Sequence, residues 1–361
     1  TMIKVGTIVP DMKVADVAYN TEQIIHCIQS HTDCSLLIFP ELCVTGYTCA
    51  DLFQNAALLQ ASQKAIQTIA NATKKTVVIG APLRKDNCLY NCAIFLSDGQ
   101  IKLVVPKSYI PTYSEFYESR WFASGKQILN TTIDILGNTI PFGTHFLLED
   151  TNSEVVIGAE ICEDLWVADK PSTHACLQGA NIIVNLSASD EVIGKQEYRR
   201  NMVLQQSSSC YCGYCYVSSG MQESSTDLVF SAHSMIAENG TMLAESIFTS
   251  GNHCETALID LEKIQYNRTH QSTFESEEGY QRIQASIPAI TNTNDISVDA
   301  LCKTLQEENY YIARNPFIPS DAQTRLDRCK KILQIQANGL ATRVRATHIY
   351  NLVIGVSGGL D

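Results

Sequence analysis

The segment Gly158-Ala-Glu-Ile-Cys-Glu-Asp-Leu-Trp166 decides the fold of this chain. It places the thiol of Cys162 directly after an apolar run that predicts a buried strand. Two other predicted strands end in a reactive side chain in the same way, one with Glu41 and one with Lys107. In layered α/β folds, residues at strand ends converge on a common cleft while the sheet holds them rigid. We therefore expect these three side chains to meet.

A carboxylate, an ammonium and a thiol together suffice for acyl transfer. Glu41 would take the thiol proton, Cys162 would attack a carbonyl carbon, and Lys107 would offset the charge on the tetrahedral oxyanion. Taken singly, each residue has an ordinary alternative. A glutamate after a strand is commonly a solvated cap, a single lysine a surface charge, and a cysteine at a strand end a buried structural thiol.

The stretches around these residues alternate between strand and helix patterns. Predicted strands occupy residues 3–9, 35–39, 76–80, 89–96, 101–105, 154–159, 181–185, 214–218, 234–237, 241–245 and 255–261, and predicted helices residues 16–30 and 58–72. Some strands are joined by helices and others by hairpin turns such as Glu238-Asn-Gly240. This mixture predicts a mixed α/β sheet arrangement faced by helices.

Composition excludes several classes of function. The 361 residues are 45% hydrophobic and 18% charged, and 26 Lys and Arg against 38 Asp and Glu give a net charge of -12. An acidic chain is a poor partner for nucleic-acid phosphates or anionic membranes. No apolar run approaches the roughly 18 residues of a membrane-spanning helix, and no secretory signal is visible. We therefore expect a cytoplasmic protein with no nucleic-acid or membrane partner.

The 14 cysteines are spread along the chain, which favours reduced thiols over a disulfide framework. Cys210, Cys212 and Cys215 form the tightest cluster. No second pair of Cys or His lies near them at zinc spacing, so we expect packing there and no metal site.

Three strings carry a resemblance to a known family. Phe39-Pro-Glu-Leu-Cys-Val-Thr-Gly-Tyr47, Pro106-Lys-Ser-Tyr-Ile-Pro-Thr-Tyr-Ser-Glu-Phe-Tyr-Glu118 and Glu160-Ile-Cys-Glu-Asp-Leu-Trp166 resemble the three signatures of the nitrilase (carbon–nitrogen hydrolase) superfamily, in that order and at that spacing. The resemblance spans roughly residues 3–262.

The family resemblance implies an α-β-β-α sandwich with a Glu-Lys-Cys triad, whose positions Glu41, Lys107 and Cys162 occupy. In this family a thiolate attacks an amide or nitrile carbon, ammonia leaves, and water hydrolyses the thioester. Glu115 matches the second glutamate that helps to orient the lysine and the nucleophile. The backbone N–H of Glu163 could join Lys107 as an oxyanion donor.

A narrower resemblance points to the glutaminase domain of the glutamine-dependent NAD+ synthetase family. It rests on residues 107–118 and 162–166, on Asn185-Leu-Ser-Ala-Ser189 and on Glu223-Ser-Ser-Thr-Asp-Leu228. Four residues match positions that line the glutamine pocket of that family: Tyr113, Phe116, Ser189 and Lys195. Arginine is also expected at the position of Lys195, where the family binds the carboxylate of glutamine. Lysine keeps the positive charge but cannot form the two parallel hydrogen bonds of a guanidinium. For Ser189 and Lys195 the plain alternative is a loop residue and a first-turn helix charge.

The remainder of the chain extends the same resemblance. Ser357-Gly-Gly-Leu-Asp361 follows a predicted strand at 349–355 and resembles the start of an ATP-pyrophosphatase loop, with Ser357, Gly358, Gly359 and Asp361 as partial ATP-loop residues. We therefore expect a glutaminase domain at 1–264, a linker arm with connecting helices at 265–345, and the first strand of a truncated NAD synthetase domain at 346–361. ATP and Mg²⁺ would belong to that synthetase domain, and the glutaminase step needs no cofactor.

The main hypothesis is an enzyme that hydrolyses L-glutamine to glutamate and ammonia through a cysteine thioester. In the full-length enzyme, a ligase, this ammonia would serve ATP-dependent amidation of nicotinate adenine dinucleotide to NAD+. The synthetase domain of the same or a neighbouring subunit would be its partner, in a homo-oligomer. Two alternatives stay open: a stand-alone amidase of the same superfamily acting on another small amide, and a catalytically silent assembly module.

Overall fold

A computed structural model describes residues 1–359, and these fall into two units, one from Thr1 to Tyr310 and one starting at Tyr311. The described strands are β1 Met2–Val9, β2 Leu36–Ile38, β3 Thr76–Lys85, β4 Cys88–Ser97, β5 Gln100–Pro106, β6 Thr131–Ile135, β7 Asn138–Phe142, β8 Phe146–Asp150, β9 Val156–Ile161, β10 Ile182–Ser187, β11 Gly213–Ser218, β12 Ser234–Glu238, β13 Thr241–Ser246, β14 His253–Asp260 and β15 Gln281–Ala285. The described helices are α1 Val17–Ser30, α2 Ala56–Asn71, α3 Pro171–Leu177, α4 Lys195–Ser209, α5 Leu261–His270, α6 Val298–Glu307 and α7 Ala322–Thr347. Every strand and helix predicted in residues 3–261 is present.

The strands of the first unit form two mixed sheets. In the first sheet the strand order is β14-β1-β2-β3-β4-β5-β7-β6, and in the second it is β13-β12-β11-β10-β9-β8-β15. Strands β1, β2 and β3 are parallel, as are β9, β10 and β11, whereas β3, β4 and β5 form an antiparallel meander. Because β5 runs antiparallel to β4, it points the same way as β2 and β3.

Alternating apolar residues bury both faces of each sheet. In β3, Val77 and Ile79 pack with α1 and α2, while Val78 packs into the core between the sheets. In β10, Ile182 faces that same core, and Ile183 packs with α3 and α4. Three apolar cores between four layers make an α-β-β-α sandwich, which confirms the predicted fold class.

The structure differs from the predicted boundary at residue 264. Residues 261–270 form α5, and β15 adds in parallel to β8 at the edge of the second sheet. The sequence of β15 is mostly polar because only Ile283 and Ala285 pack against the core, while Gln281, Arg282 and Gln284 are exposed. The predicted arm therefore begins as part of the sandwich unit, which extends to Tyr310.

The second unit contains α7. Residues 349–356 are exposed and form no strand in the described structure, although their apolar run predicts one. A strand needs a neighbour to satisfy its backbone hydrogen bonds, and none lies beside this segment within the described residues. Ser357, Gly358 and Gly359 are exposed, and Asp361 lies outside the described residues, so nucleotide binding there stays a prediction.

Among residues 1–359, no helix combines the length and the apolar character needed to cross a lipid bilayer.

Candidate active site

The three predicted catalytic residues follow the carboxyl ends of three strands. Glu41 comes after β2, Lys107 after β5 and Cys162 after β9. The backbone N–H of Glu41 donates to the carbonyl of Ser187 at the end of β10 (3.3 Å), so the two sheets meet at this end of the sandwich. The structure brings Glu41 and Lys107 into direct contact and places Cys162 beside them.

Lys107 is a fully buried ammonium held by two carboxylates. Its Nζ donates to Glu41 Oε1 (2.7 Å) and to both oxygens of Glu118 (3.0 and 2.9 Å). Burial alone would lower the pKa of Lys107, but the charges of Glu118 and Glu41 outweigh it and hold that pKa well above its usual value. Lys107 therefore stays a cation in the resting site.

Glu41 divides its two oxygens between different tasks. Oε1 accepts from Lys107 Nζ and from Asn91 Nδ2 (2.6 Å). Oε2 is buried, and no described residue donates a hydrogen bond to it. An unpaired buried carboxylate oxygen is costly, and such exceptions in native structures often mark a catalytic role. Oε2 is thus a free proton acceptor inside the site.

The second glutamate against Lys107 is Glu118, and the role predicted for Glu115 is wrong. Both oxygens of Glu118 contact Lys107 Nζ, whereas Glu115 lies on the pocket wall with its carboxylate 4.0 Å from Lys195 Nζ. Glu115 lies in the turn formed with Ser114, whose φ is 49°, whereas Glu118 begins the short helix Glu118–Arg120. Burial raises the pKa of Glu118 to about 7, against the opposing charge of Lys107.

Cys162 occupies a strained position between β9 and a short 3₁₀ turn, Cys162–Leu165. Its φ is 44°, a left-handed value that non-glycine residues seldom adopt and that is typical of functional sites. Its backbone N–H donates to Asn185 Oδ1 on β10 (3.2 Å). Burial raises the pKa of the Cys162 thiol to about 12, with Glu41 adding to the effect and Lys107 opposing it. The resting nucleophile is therefore a thiol that needs a base.

Asp164 ties the nucleophile turn to the loop that follows Lys107. Its carboxylate accepts from the backbone N–H of Ile161 (3.0 Å) and of Tyr109 (2.9 Å). Burial raises the pKa of Asp164 to about 7. This one side chain therefore fixes the distance between the ends of β5 and β9.

A second set of contacts, made by side chains of β9, β10 and β11, supports the turn at Cys162–Leu165. Asn185 Nδ2 donates to the hydroxyl of Tyr214 (2.9 Å), and Tyr214 in turn donates to the buried carboxylate of Glu160. These contacts fix the amide of Asn185 so that its oxygen faces the N–H of Cys162.

A pocket of about 250 Å³ opens onto Cys162. Its wall contains the four predicted glutamine-binding residues together with both predicted supporting glutamates: Tyr113, Phe116, Ser189, Lys195, Glu115 and Glu163. The hydroxyl of Tyr113 donates to the carboxylate of Glu163 (2.8 and 2.9 Å). Burial raises the pKa of Glu163.

Lys195, the first residue of α4, supplies a cation to this pocket. Its Nζ contacts the carboxylate of Asp190 and lies 5.1 Å from the ring centre of Phe116 and 5.5 Å from that of Trp166. The charge is therefore held at the edge of the pocket by the carboxylate of Asp190, by that of Glu115 at 4.0 Å and by two aromatic faces.

Several supporting residues escaped the sequence analysis: Asn91, Glu118, Asp164, Asn185 and Arg199. Asn91 interrupts one apolar predicted strand and Asn185 ends another, and a polar residue in a buried strand is a usable signal. Glu118 and Asp164 stand inside the quoted strings, but which carboxylate meets which donor depends on turn geometry.

Comparisons with known proteins identify a family and several similar proteins. The family model of carbon–nitrogen hydrolases matches residues 4–268. The glutamine-dependent NAD(+) synthetase of Mycobacterium bovis is 35% identical over 367 residues, covering 99% of this chain and 53% of that protein. The protein of the same name from Homo sapiens is 28% identical, covering 65% of this chain and 35% of that protein. The chain spans about half the length of the Mycobacterium relative.

Solved structures show the same fold. A glutamine-dependent NAD(+) synthetase from Cytophaga hutchinsonii superposes with a TM-score of 0.65 at 26% identity, covering 72% of this chain and 43% of that one. An amidase of the nitrilase superfamily from Nesterenkonia superposes with a TM-score of 0.58 at 15% identity, covering 74% and 94%. The second similarity concerns the fold alone.

Proposed function

The chain belongs to the carbon–nitrogen hydrolase family, and from this premise we propose that it hydrolyses the side-chain amide of glutamine to glutamate and ammonia. The observation that carries the proposal is the unpaired, buried Oε2 of Glu41 beside Lys107 and Cys162. A carboxylate oxygen with no hydrogen-bond donor, a retained cation and a thiol are the three groups that attack on an amide requires.

In the first half-reaction, Glu41 Oε2 takes the proton of the Cys162 thiol as the sulfur bonds to the amide carbon. The negative charge that develops on the amide oxygen is stabilised by Lys107 Nζ and by the backbone N–H of Glu163. The backbone N–H of Cys162 already donates to Asn185, which leaves the oxyanion to the other two donors. Glu41 then returns its proton to the leaving nitrogen, the C–N bond breaks, and ammonia departs from a thioester.

In the second half-reaction, water replaces ammonia. Glu41 Oε2 accepts a proton from the water, whose oxygen bonds to the thioester carbon. The C–S bond breaks, the proton passes from Glu41 to the sulfur, and glutamate and the free thiol of Cys162 are restored. Lys107 remains protonated throughout, because the carboxylates of Glu118 and Glu41 hold its pKa high.

The charges of the pocket suit an amino-acid substrate. Lys195 offers a cation for a carboxylate, and Glu115 and Glu163 offer anions for an ammonium group. The similarity to proteins named glutamine-dependent NAD(+) synthetase supports glutamine as that amino acid.

For the full-length protein, the same similarity supports a ligase in which this ammonia amidates nicotinate adenine dinucleotide to NAD+. ATP and Mg²⁺ would serve that second reaction in a synthetase domain of the same or a neighbouring subunit. The proposed glutaminase step itself uses water, three side chains and one backbone N–H of this unit.

The test is intact mass spectrometry after incubation with a diazo-ketone analogue of glutamine. Wild type and Cys88→Ser, a control that removes an exposed thiol, should each gain one adduct that excess glutamine prevents. Cys162→Ala should gain none. Labelling of several thiols, or labelling that glutamine does not reduce, would contradict the proposal.

A further inference from the structure

Arg199 is a fully buried guanidinium that no step of the proposed reaction uses. It lies on α4, and its relative exposure is 0%. Its Nε donates to His233 Nδ1 (3.0 Å), its Nη1 to Ser189 Oγ (3.1 Å), and its Nη2 to the carboxylate of Glu191. Three partners in three directions fix the orientation of this group, because a guanidinium is planar and rigid.

The contact with Ser189 has a consequence for the pocket. A guanidinium can only donate, so the Ser189 hydroxyl must accept from it and keeps its single proton for another partner. The backbone N–H of Ser189 is already used, donating to Ser218 Oγ (3.0 Å). Because Ser189 lines the pocket, its hydroxyl proton is available to an acceptor oxygen of a bound substrate.

The other side of the guanidinium is fixed in the same way. Because Arg199 donates to His233 Nδ1, the ring proton of His233 sits on Nε2 and donates to Glu245 Oε2 (2.8 Å). Glu191 receives a further hydrogen bond from Ser231 Oγ (2.6 Å). Arg199 is therefore the donor in each of its three contacts, and His233, Glu191 and Ser189 are all acceptors toward it.

We infer that Arg199 is a positioning residue that makes Ser189 a hydrogen-bond donor in the pocket and so determines how tightly substrates with a carboxylate or carbonyl oxygen at that point are held. The inference rests on the proposed function, because it concerns the same pocket. Arg199 contacts no substrate atom and acts only through Ser189.

The test uses steady-state kinetics of ammonia release from glutamine. Arg199→Gln should raise KM by about tenfold with kcat within about threefold of wild type, because a hydrogen bond used equally in the ground and transition states affects KM alone. Arg199→Lys, which keeps the charge, should recover part of the loss. Arg200→Gln is the matched control, since Arg200 is the next residue on α4 and contacts Glu245 (2.9 Å).

Coupling to Ser189 separates positioning from a merely structural role. Ser189→Ala should raise KM by a similar factor, and adding Arg199→Gln or Arg199→Lys to it should change KM by less than about twofold. If Arg199→Gln does not fold, the same comparison is made with Arg199→Lys, in the wild-type protein and in Ser189→Ala. An equal effect in both backgrounds, or a loss confined to kcat, overturns the inference. Wild type without glutamine turnover would contradict the proposed function instead.

Discussion

The ammonium of Lys107 lies 2.7 Å from Glu41 Oε1, while Oε2 of the same buried carboxylate has no hydrogen-bond donor among the described residues. The ion pair fixes the carboxylate in place, and Asn91 adds a second bond to the oxygen that Lys107 already holds. One oxygen is thus immobilised by two donors so that the other is presented free. The role of catalytic base proposed for Glu41 requires this asymmetry, which an ordinary buried ion pair does not need.

Replacing Glu41 with glutamine should abolish the base while keeping the shape of the site. We expect kcat for glutamine hydrolysis to fall by about 10²- to 10⁴-fold in Glu41→Gln, because an amide cannot accept and return the thiol proton. Labelling of Cys162 by the diazo-ketone should slow as well, since the thiol has a pKa of about 12 and depends on a base. Turnover within tenfold of wild type would assign the proton transfer to another group.

Glu118 should make stability depend on pH. Burial raises its pKa from 4.5 in the unfolded chain to about 7 in the folded protein. Between these values the folded state keeps a proton that the unfolded state has lost, so stability falls as pH rises from about 4.5 to 7. Glu118→Gln removes this titration. Between pH 5 and 8 the Tm of wild type should therefore fall by about 4 °C more than the Tm of the variant.

The matched control for this experiment is Glu115→Gln, which changes a carboxylate three residues away that does not contact Lys107. Its Tm should follow the wild-type pH dependence. Asp164 and His174, whose pKa values are also raised, titrate in all three proteins and cancel in the comparison. Equal pH dependence in Glu118→Gln and wild type would show that Glu118 does not hold the proton.

The fold follows from the sequence wherever a strand has an apolar face. Runs such as residues 76–80 and 181–185 can only be buried, and the structure buries them. β15 and the residues at 349–356 show the limit of this reasoning. The first is an edge strand with a single core-facing row, and the second is apolar but has no strand beside it in the described chain. Strand formation there depends on neighbours, which a local pattern does not contain.

The site also contains residues that the sequence reveals and residues that it does not. Glu41, Lys107 and Cys162 are visible because reactive side chains at strand ends are unusual and their surrounding strings are specific. Which of Glu115 and Glu118 contacts Lys107 depends on the path of the loop that carries both residues, and no spacing argument reveals that path. Buried polar networks are set by tertiary contacts, so Arg199 looks in sequence like any helical arginine.

Asp164 should matter for both stability and turnover. In Asp164→Asn, one side of the amide would present N–H groups to a backbone N–H donor, so at least one of the bonds to Ile161 and Tyr109 is lost. We expect a loss of about 1–3 kcal/mol in the free energy of unfolding and a lower kcat. For the unfolding measurement, Glu163→Gln is the control, because the Glu163 carboxylate makes no bond to the backbone of Ile161 or Tyr109 and contacts Tyr113 in the pocket wall instead. Equal unfolding curves for wild type and Asp164→Asn would show that these two bonds do not stabilise the fold.

Gly80 should be essential for placing Glu41. A Cβ at this position in β3 would lie 2.3 Å from the backbone nitrogen of Leu42 and 2.8 Å from the carbonyl oxygen of Pro40. The turn that carries Glu41 packs directly on the glycine, and backbone atoms cannot move aside as a side-chain end can. Gly80→Ala should therefore displace Glu41, lower kcat strongly and reduce the free energy of unfolding by about 1–3 kcal/mol.

Gly6 in β1 provides the matched comparison within the same sheet. A Cβ there would approach Leu37 Cδ2 at 2.9 Å and the sulfur atoms of Cys254 and Cys34 at 3.2 and 3.3 Å, all of them in side chains that can shift. We expect Gly6→Ala to keep near wild-type kcat for glutamine hydrolysis, with a smaller loss of stability in urea unfolding. If the two variants lose activity equally, the glycine at position 80 is needed for sheet packing in general. If only Gly80→Ala loses it, the contact of β3 with the Glu41 turn is what positions the base.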